Sequence, residues 1–167
     1  MYCTKFLRAG LLVGALVSLL ACMTLAAQEQ SEKRGWARGT VGYSKSYLDE
    51  PGGLIVAGSV GVPLMGKLSI EPEISWVSGD RFEYRQVAAN LIYRLGDPGR
   101  RVTAYPIVGI GYLRELDKEI DYSSGGLALY GGFGARMNVS GGLFVAPEFR
   151  VGIATFPRIT VSVGYEF

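Results

Sequence analysis

Eight charged side chains sit at alternate positions within runs that are otherwise apolar or glycine-rich: Glu71, Glu73, Arg94, Arg136, Glu148, Arg150, Arg158 and Glu166. Carboxylates and guanidinium groups in this arrangement are suited to pairing with one another, and a charge removed from water must be paired to be tolerated. They are poorly suited to catalysis. The chain has no histidine, so it lacks the commonest general base and most nitrogen-ligated metal sites. Serine beside a carboxylate, with no base, is a weak nucleophile. Gly131-Gly132-Phe133-Gly134 has the look of a phosphate loop, but no helix follows to supply the amides that such loops need. Glu115-Leu116-Asp117-Lys118-Glu119-Ile120-Asp121 does not have the spacing of a calcium loop and reads as a solvated loop. Lysine and arginine form no basic stripe, so nucleic acid is not an expected partner. Cys3 and Cys22 cannot make a zinc knuckle or a disulfide framework. No cofactor and no metal are expected.

The elements that must carry these charges are strands. After residue 35 no window keeps the i, i+3, i+4 apolar spacing of a helix, whereas period-two alternation recurs. Eight runs follow: Trp36–Tyr47, Leu54–Leu64, Leu68–Val77, Phe82–Leu95, Val102–Arg114, Gly126–Met137, Leu143–Ile153 and Arg158–Phe167. Most reach ten residues, longer than the usual five or six and close to the roughly 9–11 with which a tilted strand crosses a bilayer. Turn residues separate them, as in Asp49–Gly53, Gly96–Gly99 and Asn138–Gly142. This pattern predicts an all-β antiparallel meander. Pro72, Pro106 and Pro147 fall inside runs, where each lacks a ladder donor, and predict local bulges or kinks.

Alternation alone does not say which face is inside. In the last run Ile159, Val161, Val163, Tyr165 and Phe167 oppose Arg158, Thr160, Ser162, Gly164 and Glu166. The polar faces hold mostly Gly, Ala and Ser with isolated charges of both signs, which fits a crowded interior better than a solvated surface. Gly109, Gly111, Gly132, Gly134 and Gly164 are placed on that inner wall, and much of the total of 24 glycines becomes a steric requirement. The charges are expected to form an ion-pair network that plugs the lumen. Trp36, Tyr43, Tyr47, Trp76, Tyr84, Tyr93, Tyr105, Tyr112, Tyr165 and Phe167 fall largely near run ends, as interfacial girdles do. The expected fold is an eight-stranded antiparallel up-and-down transmembrane β-barrel.

Residues 1–27 have the three-part form of a signal peptide: Lys5 and Arg8, then Leu11–Ala21, then Thr24-Leu25-Ala26-Ala27 for cleavage near Ala27. A lipobox at Leu19-Leu20-Ala21-Cys22 fits less well, because Leu20 is unfavourable there and the apolar run continues past Cys22. An uncleaved anchor over Leu11–Ala27 approaches the lower length limit for a spanning helix. Cleavage removes both cysteines, and it removes Lys5 and Arg8, so the formal charge of +2 belongs to the export segment.

With these features the chain resembles the small outer-membrane β-barrel family of the OmpA/OmpX type. The resemblance rests on the signal, the eight runs, Tyr105-Pro106-Ile107-Val108-Gly109-Ile110-Gly111-Tyr112 and the ending Ile159–Phe167. It implies a short periplasmic segment over 28–35, a barrel over 36–167 and both termini on the periplasmic side. Alternating Val161, Val163, Tyr165 and Phe167 look like the family's signal to the outer-membrane assembly machinery, and lipid and lipopolysaccharide are the implied surroundings of a monomer. Barrel enzymes of this kind rely on a catalytic histidine, so no enzymatic activity is expected. The resemblance implies a structural or surface-interacting role in adhesion or envelope integrity. A narrow pore or hydrophobic-ligand conduit like the OmpW-type barrels is a second reading, and a secreted soluble ligand-binding barrel a third. The outer connections read as short, so a protruding adhesive sheet is not expected, and nothing here suggests a cell-wall tether.

Overall fold

Eight strands form: β1 (Trp36–Ser44), β2 (Gly53–Met65), β3 (Leu68–Ser78), β4 (Phe82–Tyr93), β5 (Val102–Asp117), β6 (Tyr122–Ser140), β7 (Leu143–Ile153) and β8 (Arg158–Glu166). The computed structural model describes residues 35–45, 52–79, 82–96, 100–117, 122–153, 155 and 157–167. The export segment, Cys3, Cys22, Tyr47, Asp49 and Glu50 lie outside them. Each strand pairs antiparallel with the next and β8 returns to β1, so the all-β meander closes into an up-and-down barrel.

The closure has a definite stagger. From Tyr43 the ladder runs through Leu54, Ser78, Glu83 and Leu116 to Ser123 on β6. In the other direction it runs through Ile159 and Phe149 to Phe133. One circuit therefore shifts the register by ten residues, which with eight strands corresponds to a tilt of about 40°. Alternation then assigns the faces. On β8 the even positions from Arg158 to Gly164 are buried while Ile159, Val161, Val163 and Tyr165 are exposed. The same holds around the ring, where Val41, Val56, Val108, Leu129 and Phe133 point outward. So broad an apolar exterior requires lipid rather than water.

The prolines are accommodated differently from the bulges expected of them. Opposite Pro72 the β2–β3 ladder skips Val60 and Gly61 and resumes at Val62↔Ile70 in the same register. The β4–β5 ladder stops at Ile92↔Ile107, just before Pro106, and returns at Leu95↔Ala104. The β6–β7 ladder likewise passes over Pro147, from Gly134↔Glu148 to Met137↔Val145. On its other side each proline is paired normally, with Ala89, Phe133 and Val161. Each missing donor thus opens a short gap toward one neighbour and leaves the register intact. The true register shifts lie at Pro63/Met65 and Asn138/Ser140, beside tight turns where Gly66 and Gly141 take φ of 56° and 55°.

At the opposite end the structure departs from the expected short loops. Glu115–Gly125 is mostly ladder, with Asp117 paired to Tyr122. β6 begins at Tyr122 but its ladder with β7 begins only at Leu129↔Ile153. About 20 Å of β6 therefore rises beside β5 with no β7 partner among the described residues, and β4, β5 and β6 extend as a three-stranded sheet beyond the rim.

Inside, large rings lie against glycines on neighbouring strands. Trp36 is paired with Gly61, Tyr105 with Gly134, Tyr130 with Gly109 and Gly152, and Phe144 with Gly164. A Cβ on Gly61, Gly109, Gly134 or Gly164 would run into the ring beside it, and one on Gly152 would meet the Leu129 carbonyl and the Tyr130 backbone. Trp36 and Tyr105, expected in the girdle, are buried interior residues, whereas Tyr43, Trp76, Tyr93, Tyr112, Tyr165 and Phe167 are exposed outside. The interior does not take every glycine: Gly39 and Gly58 pair with each other on the outer face with open space around them. Gly164→Ala would press a methyl on Phe144 and on the Ala37 carbonyl, and is expected to destabilise the barrel by about 1–3 kcal/mol. Gly58→Ala is expected to be neutral or stabilising by up to about 1 kcal/mol. Urea unfolding in lipid vesicles, followed by tryptophan fluorescence, measures both, and equal effects would refute the ring-on-glycine account.

Candidate functional site

Period two brings the charged positions to the inner face, and the stagger decides which of them meet. Five of the sequence-predicted residues, Glu71, Glu73, Glu148, Arg150 and Arg158, gather in the middle of the lumen. The other three, Arg94, Arg136 and Glu166, gather at the end of the barrel that carries residues 35 and 167.

The middle cluster is joined by a residue that sequence reasoning did not single out. Arg38 on β1 donates from Nη2 to Glu71 Oε1 at 2.6 Å, from Nη1 to Glu148 Oε1, and from Nε to Ser59 Oγ at 3.2 Å. Its signal was present in the alternation of Arg38, Thr40 and Ser44 against Val41 and Tyr43. From Arg38 the network runs both ways. Trp36 Nε1 donates to Glu71 Oε2 at 2.8 Å, and Tyr105 Oη donates to Glu148 Oε1 at 2.6 Å. Arg150 donates to Glu148 Oε2 from Nη2 at 2.6 Å and pairs through Nη1 with Glu73 Oε2 at 2.9 Å. Arg158 Nη2 donates to Glu73 Oε1 at 2.7 Å, and Tyr130 Oη donates to Asn90 Oδ1 at 2.6 Å beneath it. Arg150 and Arg158 also stand over the Tyr130 ring, 5.7 and 5.3 Å from its centroid.

Three guanidinium groups and three carboxylates thus balance, and their side chains are at most 7% exposed. The layer lies across the lumen of an eight-strand barrel, whose interior has room for packed side chains and little else. Above it the inner wall is lined by small polar residues, among them Thr40 and Ser162 with hydroxyl oxygens 2.8 Å apart. The arrangement holds no nucleophile with a base. Among the described residues no group of three His, Cys, Asp or Glu stands where it could hold a metal ion. Val161, Val163, Tyr165 and Phe167 all lie on the outer face, away from this layer.

Because Glu71 has no ion pair but Arg38 among the described residues, Arg38→Met is expected to cost about 3–5 kcal/mol by stranding a buried carboxylate. Adding Glu71→Gln is expected to recover about 1–3 kcal/mol of that loss. Urea midpoints of the two single variants and the double variant close the cycle.

A model of the outer membrane protein beta-barrel domain matches residues 14–167, while no curated protein matches the chain. Among solved structures the fold is similar to Neisserial surface protein A, NspA, with 15% identity and a TM-score of 0.61, covering 82% of this chain and 98% of that one. It is also similar to the N-terminal β-barrel domain of Pseudomonas aeruginosa OprF, with 13% identity, a TM-score of 0.64 and coverage of 81% and 100%. Ail, the attachment invasion locus protein of Yersinia pestis, in its complex with the heparin analogue sucrose octasulfate, gives 16% identity, a TM-score of 0.55 and coverage of 81% and 98%. At these identities the likeness carries the fold. With its lipid-facing exterior, closed eight-strand ladder and family match over nearly its whole length, the chain belongs to the outer membrane protein beta-barrel family and is a barrel of the bacterial outer membrane.

Proposed function

We propose that this protein is a non-enzymatic outer-membrane barrel, plugged by its own ion pairs, that acts at the cell surface in adhesion or envelope integrity. The observation that carries the reading is a buried layer of ion pairs across the lumen, together with an open edge on β6. The lumen is occupied by a balanced layer of six charged side chains, which supports a closed barrel over a pore or conduit. Outside, Ser123-Ser124-Gly125-Gly126 on β6 leaves backbone donors and acceptors beside no β7 partner among the described residues. It also lacks the proline, bulge or charge that usually guards such an edge. An extended segment of a partner can add there as a further strand. The proposal includes export with cleavage near Ala27, which lies outside the described residues. It further includes a monomer in lipid and lipopolysaccharide, brought to the assembly machinery by Val161, Val163, Tyr165 and Phe167.

Planar bilayers containing the folded protein are expected to show no steady open channel, and sustained conductance would overturn the plugged reading. Cells displaying a Ser123→Lys, Gly126→Lys variant at wild-type surface level are expected to adhere several-fold less to surfaces that the wild type binds. Unchanged adhesion would remove the edge from the proposal.

A further inference from the structure

The inner charges balance layer by layer except at one level. Arg38, Arg150 and Arg158 meet Glu71, Glu73 and Glu148 in the middle. At the mouth on the side of residues 35 and 167, Arg94 and Arg136 share Glu166 alone among the described residues. That end carries the two-residue turns at Gly66-Lys67 and Gly141-Gly142, which in outer-membrane barrels face the periplasm.

The sharing is unequal. Arg136 Nη2 donates to Glu166 Oε2 at 2.9 Å, while Arg94 Nη1 stands 3.8 Å from Glu166 Oε1, beyond hydrogen-bond reach. Arg94 Nη2 is buried with no hydrogen-bond partner among the described residues. Both guanidinium groups lie over the Trp36 indole, 4.8 and 5.8 Å from its centroid, and Arg136 also lies 3.8 Å over the Phe144 ring. The aromatic floor holds the two cations together where mutual repulsion would part them. Asn138 fixes the outer side: its Oδ1 accepts from Arg136 Nε at 3.2 Å and its Nδ2 donates to the Arg100 carbonyl at 3.0 Å. Around the rim Arg101 is exposed, a further cation beside the mouth.

We infer that the periplasmic mouth is an oxyanion site, in which a carboxylate or phosphate group enters beside Glu166 and takes the donors that Arg94 leaves unused. A planar guanidinium fork matches such a group, and charge-assisted hydrogen bonds of this kind are the strong ones. Glu166 is then a like charge beside the bound anion and opposes its entry, which gives the site a signature that a purely structural pair would not have.

The test uses the folded protein in octyl glucoside, which carries no phosphate, with the two tryptophan indole N–H signals read by NMR during titration with inorganic phosphate. Trp36 is expected to shift and saturate, while Trp76, exposed on the outer face, serves as the internal reference. Arg94→Gln is expected to weaken the affinity about tenfold, and Glu166→Gln to strengthen it several-fold. Heat-modifiable gel mobility checks that both variants are folded. A second arm replaces phosphate with vesicles of phosphatidylglycerol or of phosphatidylcholine. A Trp36 shift that appears only with phosphatidylglycerol and is lost in Arg94→Gln assigns the oxyanion to a lipid headgroup. Saturation by inorganic phosphate assigns it to a soluble ion. No Trp36 shift in either arm, or weakening in Glu166→Gln, overturns the inference.

Discussion

The narrow bore of an eight-strand barrel with a ten-residue stagger governs most of what this chain must do. Only side chains fit inside it, and they must fit without voids and without unpaired charge. The first demand produces the glycines facing Trp36, Tyr105, Tyr130 and Phe144. The second produces the alternating relay from Trp36 through Glu71, Arg38, Glu148, Arg150 and Glu73 to Arg158. A relay of this kind is weak evidence for stability in itself, since apolar replacements of the same shape can do as well. What it specifies is register. A slip by one residue would turn Arg38, Arg150 and Arg158 into lipid and Val41, Val161 and Val163 into the lumen, so the charges make the alternative barrels prohibitively costly.

The strands and their faces were legible because lipid outside and packing inside impose opposite demands on successive residues. Where both demands act, as on β7 and β8, the sequence pattern and the burial pattern coincide. Where one demand lapses, the pattern fades. Beyond the rim the β5–β6 hairpin has water on both faces, so Glu115–Gly125 needs no alternation and reads as a loop although its ladder continues. Trp36 and Tyr105 stood near run ends, where an aromatic ring suits either an interface or the crowded lumen. Only parity with Arg38 and Thr40, or with Thr103 and Ile107, places them inside. Arg38 lies two residues into the first strand, where too few alternating positions precede it to fix its face. The list of charged positions could not show which of them meet, because the stagger belongs to the closed ring and to no single strand.

The prolines illustrate the same division between strand and ring. Read on one strand, a proline removes a donor and threatens the register. In the closed ring each strand has two neighbours, and Pro72, Pro106 and Pro147 each stay paired on one side while the other ladder skips past. Register is then held by the rest of the ladder.

The two ends of the barrel are unlike for physical reasons. The end that carries residues 35 and 167 has tight turns at Gly66-Lys67 and Gly141-Gly142, and there Arg94 and Arg136 face Glu166 alone among the described residues. The outer end is the place where β7 stops and β6 continues, and there the unspent capacity is backbone rather than charge. Between them lies a neutral, densely paired layer that couples every strand bearing an inner charge. Because Arg38 touches partners on β2, β3, β5 and β7 at once, walls on different sides of the lumen are tied to one another through a single side chain.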